Sequence, residues 1–380
     1  MDSHYSVTIY QHMDALPPGC EELFEAEERL SIFFGRHWLR NLAQHGLDEG
    51  ESLRIYVASD ADGVQGILPM RYSIQSAGHT LRRIEALANY YTSLFRPLLR
   101  KGNEQAILLT LAHALARDAQ RFDVVDLHPL PQDEPLYGWM KNALQQAGML
   151  VQPYFCFGNW YLTVDGRSYR QYHDTFPSQL KNTLKRKTKQ FEADASTRIR
   201  IFTRSEEMDR AIADYEKVYH SSWKVPEPHP QFMPGLIRFC AEQGWLRLGV
   251  AYVEAEPVAA QVWIVHDGIA AIYKLAYDEN YAKLSAGSIL TSKLMEYVID
   301  VDKVREVDYL TGDDGYKKDW MSHRRERWGL AAYNLRTVSG LTYGMASLGW
   351  NMIKKTRIQC RRWFARANPE TVLTNSNRNG

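Results

Sequence analysis

Leu284-Ser285-Ala286-Gly287-Ser288 is a turn of small residues set between an apolar strand and an amphipathic helix. Glycine lets the backbone turn and lets a ligand approach without a Cβ in the way, and the first amides of the helix point outward, unsatisfied and partly positive. Such a turn can hold a pyrophosphate, although small residues at helix starts serve more often as caps. Two polar residues interrupt the neighbouring strands. Lys274 stands among apolar residues in Ile272-Tyr273-Lys274-Leu275-Ala276, so its ammonium must find a partner or face a wet cleft. Gln261 lies in an otherwise apolar strand from Val258 to Val265, an amide able to bind substrate.

Positioning these residues requires a sheet with helices on it. The first half reads as helical segments at Glu21–Phe34 and His37–Gln44, then a hairpin of Leu53–Ser59 and Val64–Ile74 joined by Asp60-Ala61-Asp62-Gly63. A strand (Leu81–Leu87), a helix (Glu104–Arg117), a strand (Asp123–Leu127), a helix (Leu136–Ala147) and a strand (Met149–Phe157) follow. The second half repeats the order. Strands at Trp245–Glu254, Val258–Val265 and Ile269–Tyr277 precede a helix (Gly287–Val298), a strand (Glu306–Leu310), a helical segment near Tyr316–Met321 and a strand (Arg327–Leu335). Between the halves, Tyr169–Phe191 reads as helical, with Leu180, Leu184 and Phe191 on one face and Lys181, Lys185 and Lys189 on another. That basic face is either simply solvated or meets an anionic ligand. The Pro-rich run Val225–Pro230 cannot be helical and is a loop over a site or a connector.

The ordered set of Ser178 to Lys187, Pro257-Val258-Ala259-Ala260-Gln261, Ala276-Tyr277-Asp278, Leu284-Ser285-Ala286-Gly287, Asp308-Tyr309-Leu310-Thr311-Gly312-Asp313 and Tyr316-Lys317-Lys318-Asp319-Trp320 resembles the GNAT-like acetyltransferases of bacterial cellulose and exopolysaccharide synthesis. Those are relatives of the Fem-type aminoacyltransferases, which are built from two tandem GNAT-like domains. The resemblance implies an α/β (α+β) fold of tandem GNAT-like domains, each a mixed, mostly antiparallel sheet flanked by helices. The expected division is 1–165, without a cofactor site of its own, 166–340 as the acyl-CoA-binding catalytic domain, and 341–380 as a basic helix and tail.

It also implies an acyl-CoA co-substrate, acetyl-CoA above all, and direct attack by an amine or hydroxyl on the thioester. Tyr277 and Leu284, Ser285, Ala286, Gly287 and Ser288 then hold the cofactor, although this turn is shorter and poorer in glycine than the usual GNAT loop and lacks its basic residue. Asp308 and Asp313 are candidates for general base or for binding a sugar hydroxyl, against plainer readings as a cap and a turn former. Tyr316 falls where the resemblance places a phenol able to protonate the CoA thiolate. Lys317, with Gln261 and Lys274, is assigned to substrate, and Trp320 to packing. In the first half the place of the small turn reads Leu94-Phe95-Arg96-Pro97, bulky and without glycine, so one donor site is expected.

Composition limits the alternatives. The 380 residues carry a net charge of +1, which gives little for DNA or tRNA to bind. Cys20, Cys156, Cys240 and Cys360 are widely separated, which argues against zinc knuckles and for free thiols in a reducing compartment, and no spacing suggests a metal. With no signal peptide and no membrane-spanning run, a cytoplasmic location is expected. From Asn351 to Asn368 there are six Lys or Arg residues and no acid, with Trp363 and Phe364 among them. This segment docks on the catalytic domain, the preferred reading, or makes peripheral contact with the inner membrane through 350–366. The leading expectation is an N- or O-acyltransferase acting on a sugar, polysaccharide precursor or related envelope metabolite. Its rivals are an aminoacyl-tRNA-dependent transferase and a non-catalytic component of a polysaccharide or lipid synthesis complex.

Overall fold

Asp60-Ala61-Asp62-Gly63 does form a hairpin turn, closed by Gly63 at φ 109°, where a side chain would be strained. It joins β2 (Ser52–Asp60) to β3 (Gly63–Ala77), and β1 (Ser6–Tyr10) pairs with β2 on its outer side. The computed structural model describes residues 5–349 except 78 and 119–121; the basic run after Gly349 and its expected docking or membrane contact lie outside the described residues. The sheet continues through β4 (His79–Ala86), with a short β5 (Leu98–Leu99) beside β3, then β6 (Val124–Pro131) and β7 (Met149–Thr163). The second half supplies β8 (Thr197–Phe202), β9 (Leu246–Val253), β10 (Glu256–His266), β11 (Ile269–Tyr277), β12 (Glu306–Asp308) and β13 (His323–Asn334).

The thirteen strands of the described residues form one sheet in the order β1-β2-β3-β4-β6-β13-β7-β12-β11-β10-β9-β8, with β5 off the path. The two halves have the same topology. In each, three antiparallel pairings lead to one parallel pairing, β4 with β6 in the first half and β11 with β12 in the second. Their closing strands are exchanged: β13 pairs with β6 of the first half, β7 pairs with β12 of the second, and β7 and β13 pair along their length. Each half is therefore completed by a strand of the other. The equivalent registers Glu85↔Asp126 and Ala271↔Asp308 superpose the dipeptide Val125-Asp126 on Val307-Asp308.

Helices cover the faces. The first half has α1 (Cys20–Glu28), α2 (Arg36–His45), α3 (Glu104–Ala116) and α4 (Pro135–Gln146). The expected linker helix is two, α5 (Tyr169–His173) and α6 (Ser178–Ala193), because Pro177 cannot continue a helix and stands at the N-cap of the second. After them come α7 (Met208–His220), α8 (Phe232–Glu242), α9 (Ala286–Asp300) and the single turn α10 (Lys317–Trp320). The expected helix at Glu21–Phe34 ends at Glu28 and gives way to a 3-10 turn at Ile32–Phe34.

One hydrophobic cluster joins the halves. Trp38 of α2 is fully buried, its ring edge-on to Phe232 of α8 at 5.5 Å and to Tyr273 of β11 at 5.8 Å. Leu184 and Phe191 are the buried side of α6, as their spacing requires, and pack with Leu290 and Leu294 in the core between α9 and the second half of the sheet. Cys20, Cys156 and Cys240 are free thiols. Among the described residues no helix is long and apolar enough to cross a membrane, and no His, Cys, Asp and Glu side chains converge in the numbers a metal needs.

Candidate functional site

β11 and β12 run parallel for only three residue pairs, Ile269 to Ala271 against Glu306 to Asp308. Beyond Asp308 the second strand stops while β11 continues to Tyr277, so a crevice opens at the carboxyl ends of two parallel strands, where open α/β sheets bind ligands. A buried network sets its shape. Asp308 accepts from Asn159 Nδ2 at 2.5 Å, from Arg325 at 2.5 Å and from the backbone N–H of Leu310 at 2.6 Å. Asn159 of β7 also donates to Leu310 O at 2.9 Å and accepts from Arg325 and Arg327 of β13, so the exchanged strands meet here. Leu310 is held at φ 54°, a left-handed conformation rare for leucine that turns the chain out of the sheet.

These contacts correct the reading of Asp308 as a free base. Its carboxylate is buried, ion-paired to Arg325 and committed to three donors, and it positions the crevice wall. Asp308→Asn should cost about 2 kcal/mol of stability, since a buried pair is broken while Arg325 keeps Glu306. Thermal unfolding checks this, and a variant as stable as the wild type would contradict the positioning role.

On one side of the crevice lies the start of α9. The left-handed residue there is Ser285, at φ 57°; Gly287 sits inside the first helical turn, which corrects its expected role as the turning residue. A 3-10 turn at Glu279–Leu284, capped by the Asp278 side chain on Asn280 N–H, carries the chain from β11 to Ser285. Ser288 is exposed, and no acid stands in the first turn of α9, so its amide end is open to an anion. Tyr277 backs the turn, 3.5 Å from where a Cβ on Gly287 would stand. Lys187 of α6 approaches this turn, its ammonium donating to the carbonyl of Lys283. Beside it, α5, α6 and α9 line an open groove that includes Lys181, Lys185, Lys189 and Lys293.

The first half is different. The residues equivalent to the start of α9 precede α3, at Lys101 to Glu104, rather than at Leu94 to Pro97. Gly102 there has φ 108°, but the Glu104 carboxylate accepts its N–H at 3.0 Å, placing a negative charge where an anion would sit. Leu94-Phe95-Arg96-Pro97 belongs instead to the loop filling the first half's crevice: Phe95 is buried and its N–H donates to Pro129 O at 2.7 Å.

That same loop reaches the second crevice. Tyr273 donates its hydroxyl proton to Tyr91 O at 3.0 Å, and Ser93 and Thr311 hydroxyls are 2.7 Å apart. Together with β11 they bound a cavity of about 230 Å³ lined by Tyr90, Lys224, Lys274, Tyr309 and Thr311 among others. Lys274 finds both of the environments its sequence position allows. Its ammonium is 3.0 Å from Glu227 Oε1 and 4.1 Å above the Tyr90 ring, and it lines the cavity. Burial, with Lys274 nearby, holds the Lys224 ammonium below the usual lysine range.

The remaining expected residues divide. Gln261 does not reach the cavity: buried, it donates to Gly287 O at 2.9 Å and Thr291 Oγ1 at 2.8 Å and accepts from Trp263, so it ties α9 to β10. Lys317 is also buried, and fastens the loop by donating to Thr311 O at 2.6 Å and Gly312 O at 3.2 Å, with Asp314 3.2 Å away. Asp313 is exposed and held by Arg324 and the Trp160 indole, bonds that keep its carboxyl below the usual range and make it a weak base. Tyr316, 46% exposed, stands edge-on to Tyr309 at 5.9 Å, and partial burial, helped by Asp314, pushes its phenol up to about 12. If Tyr316 supplies the proton to the leaving thiolate, Tyr316→Phe lowers the turnover rate about tenfold. The wild-type rate then shows no fall below about pH 10; a fall there that Tyr316→Phe abolishes would mean a lower phenol pKa.

Sequence reading missed Glu227, Lys224, Tyr90 and Tyr91. The Pro-rich run signalled the loop that carries Glu227, but nothing local shows that its carboxylate meets Lys274.

Residues 178–318, from α6 to α10, match the family model Acetyltransf_6, an acetyltransferase (GNAT) domain. No curated protein sequence shows significant similarity to the chain. Among solved structures, FemX superposes with a TM-score of 0.56 at 10% identity, covering 80% of this chain and 93% of FemX. The C-terminal domain (DUF2156) of a putative lysylphosphatidylglycerol synthetase from Agrobacterium fabrum gives 0.51 at 10% identity, over 87% of this chain and 95% of that one. L-PGS from Bacillus licheniformis gives 0.50 at 14%, over 90% and 96%. At such identities the likeness is one of fold. The match to a GNAT domain is confined to residues 178–318, which lie in the second of the two halves of like topology.

Proposed function

We propose that this protein is an acyl-CoA-dependent acyltransferase, with acetyl-CoA as the preferred donor. The acyl group passes directly to an amine or hydroxyl of a sugar, polysaccharide precursor or related envelope metabolite. Residues 166–340, completed by β7 of the first half, form the catalytic domain, and 1–165 is its support and cleft wall, working in the cytoplasm. The observation that carries the donor assignment is the acid-free start of α9 at the crevice, beside Lys187, set against Glu104 at the equivalent helix start. The pyrophosphate takes the amides of Ala286 to Ser288, and the thioester reaches the crevice between β11 and Tyr309. The acceptor enters from the side of Tyr90 and Lys274, whose ammonium is suited to stabilising the oxyanion. Cellulose or exopolysaccharide synthesis is the setting favoured by the sequence resemblance.

A second reading, an aminoacyl-tRNA-dependent transferase, draws support from the lysine-lined groove of about 940 Å³ along α6 and α9. Titration of the protein with acetyl-CoA, a long-chain acyl-CoA and a charged tRNA separates the readings. Acyl-CoA binding with no tRNA binding is expected; tRNA binding alone supports the second reading, and binding of none supports a non-catalytic role.

A further inference from the structure

Residues 338–349 form a helix built the opposite way from an ordinary surface helix. Thr337 begins it, its hydroxyl accepting the Gly340 N–H at 3.0 Å. The side against the sheet is made of small residues. A Cβ on Gly340 would stand 2.2 Å from Asn334 O, and one on Gly344 3.1 Å from both Leu150 and Tyr333 side chains, while Ser347 donates to Gln152 at 2.5 Å. The outward side is apolar. Val338, Leu341, Met345 and Leu348, spaced three, four and three apart and so on one face, are 82%, 42%, 64% and 42% exposed.

No charged residue occurs from Thr337 to Ile353, and immediately after come Lys354, Lys355, Arg357, Arg361, Arg362 and Arg366 with no acid before Glu370. An apolar helix face followed in the sequence by a run of cations matches a surface that is apolar inside and negative outside.

We propose that the outward face of helix 338–349 docks this protein on an anionic phospholipid bilayer, Val338, Leu341, Met345 and Leu348 entering the interface and the following cations meeting lipid phosphates. The helix lies flat on the membrane, since its inner face is held to the protein by Gly340, Gly344 and Ser347. Membrane docking rests on the apolar helix face and the cations that follow it in the sequence, and is independent of the transferase reading.

Co-sedimentation of the full chain with phosphatidylcholine vesicles, with and without about one quarter phosphatidylglycerol, tests it. Binding to the anionic vesicles should exceed binding to neutral ones by about tenfold, and both Leu341→Asp/Met345→Asp and Lys354→Gln/Lys355→Gln/Arg357→Gln should lose it. The replaced apolar side chains are exposed, so the first variant should unfold at the wild-type temperature; one that unfolds lower is replaced by Val338→Ser/Met345→Ser, with the same loss expected. The proposal is overturned if wild-type protein stays with the supernatant. It is equally overturned if the apolar variants bind like wild type, or if sedimentation velocity shows a dimer that Leu341→Asp/Met345→Asp abolishes while vesicles bind none.

Discussion

Lys274→Met should destabilise the protein by about 3 to 5 kcal/mol, because it strands the Glu227 carboxylate in a buried site without its counter-charge. Both Glu227 oxygens are shielded from solvent, and the nearby phenols of Tyr91 and Tyr219 are raised in pKa first by burial and also by this carboxylate. Both phenols therefore stay protonated and neutral, and neither supplies the missing positive charge. Adding Glu227→Gln should recover most of the lost stability. Transfer should not recover with it: on the proposed role of Lys274 as the cation that meets the developing oxyanion, the rate of the double variant stays down about 100-fold. A double variant with wild-type turnover would reduce the pair to a structural role. Unfolding in denaturant and single-turnover rates, on both single variants and the double, separate the two effects.

Gly287→Glu should weaken acyl-CoA binding by about 100-fold, or about 2.7 kcal/mol, with little change in stability. The substitution gives α9 the acid that Glu104 gives α3. Space exists for it, because a Cβ at Gly287 makes only ordinary contact with Tyr277 and the backbone there is helical. Gly287→Ala, which adds bulk without charge, should change affinity only severalfold. The opposite exchange, Glu104→Gly, should create no second site, because Phe95 still fills the first crevice. Equal losses in the Ala and Glu variants would point to sterics rather than charge.

Much of this fold is written in local pattern. The nearly continuous apolar runs of β9 to β11, the apolar stripe of α9 and the turn chemistry of Asp60 to Gly63 depend on near neighbours along the chain, and each element appears where its residues require. The exchange of β7 and β13 is not local. A strand's pattern sets which face is buried but not which strand lies beside it, and the same alternation in β13 would serve whether it closed its own half or the other. The short edge strands β1 and β8 and the helices α7 and α8 also went unread.

The site divides along the same line. The start of α9 is contiguous in sequence and could be found as a turn before a helix. Lys274 could be marked because a charge in an apolar strand demands an explanation. Its partner Glu227 lies 47 positions away in a loop without periodicity, and Tyr90 and Tyr91 come from the other half. Gln261 and Asp308 looked available because sequence shows polar groups without showing what already bonds to them; Thr291, Gly287, Asn159 and Arg325 are those partners. Equating the first half's Leu94 to Pro97 with the donor turn followed distance along the chain, whereas the equivalent helix begins at Glu104.

Calorimetric titration of the wild-type chain and Gly287→Glu with acetyl-CoA tests the central claim, that one donor site lies at the start of α9. The wild type should bind a single equivalent, and the variant about 100-fold more weakly. Absence of binding in the wild type, or an unchanged affinity in Gly287→Glu, would contradict it.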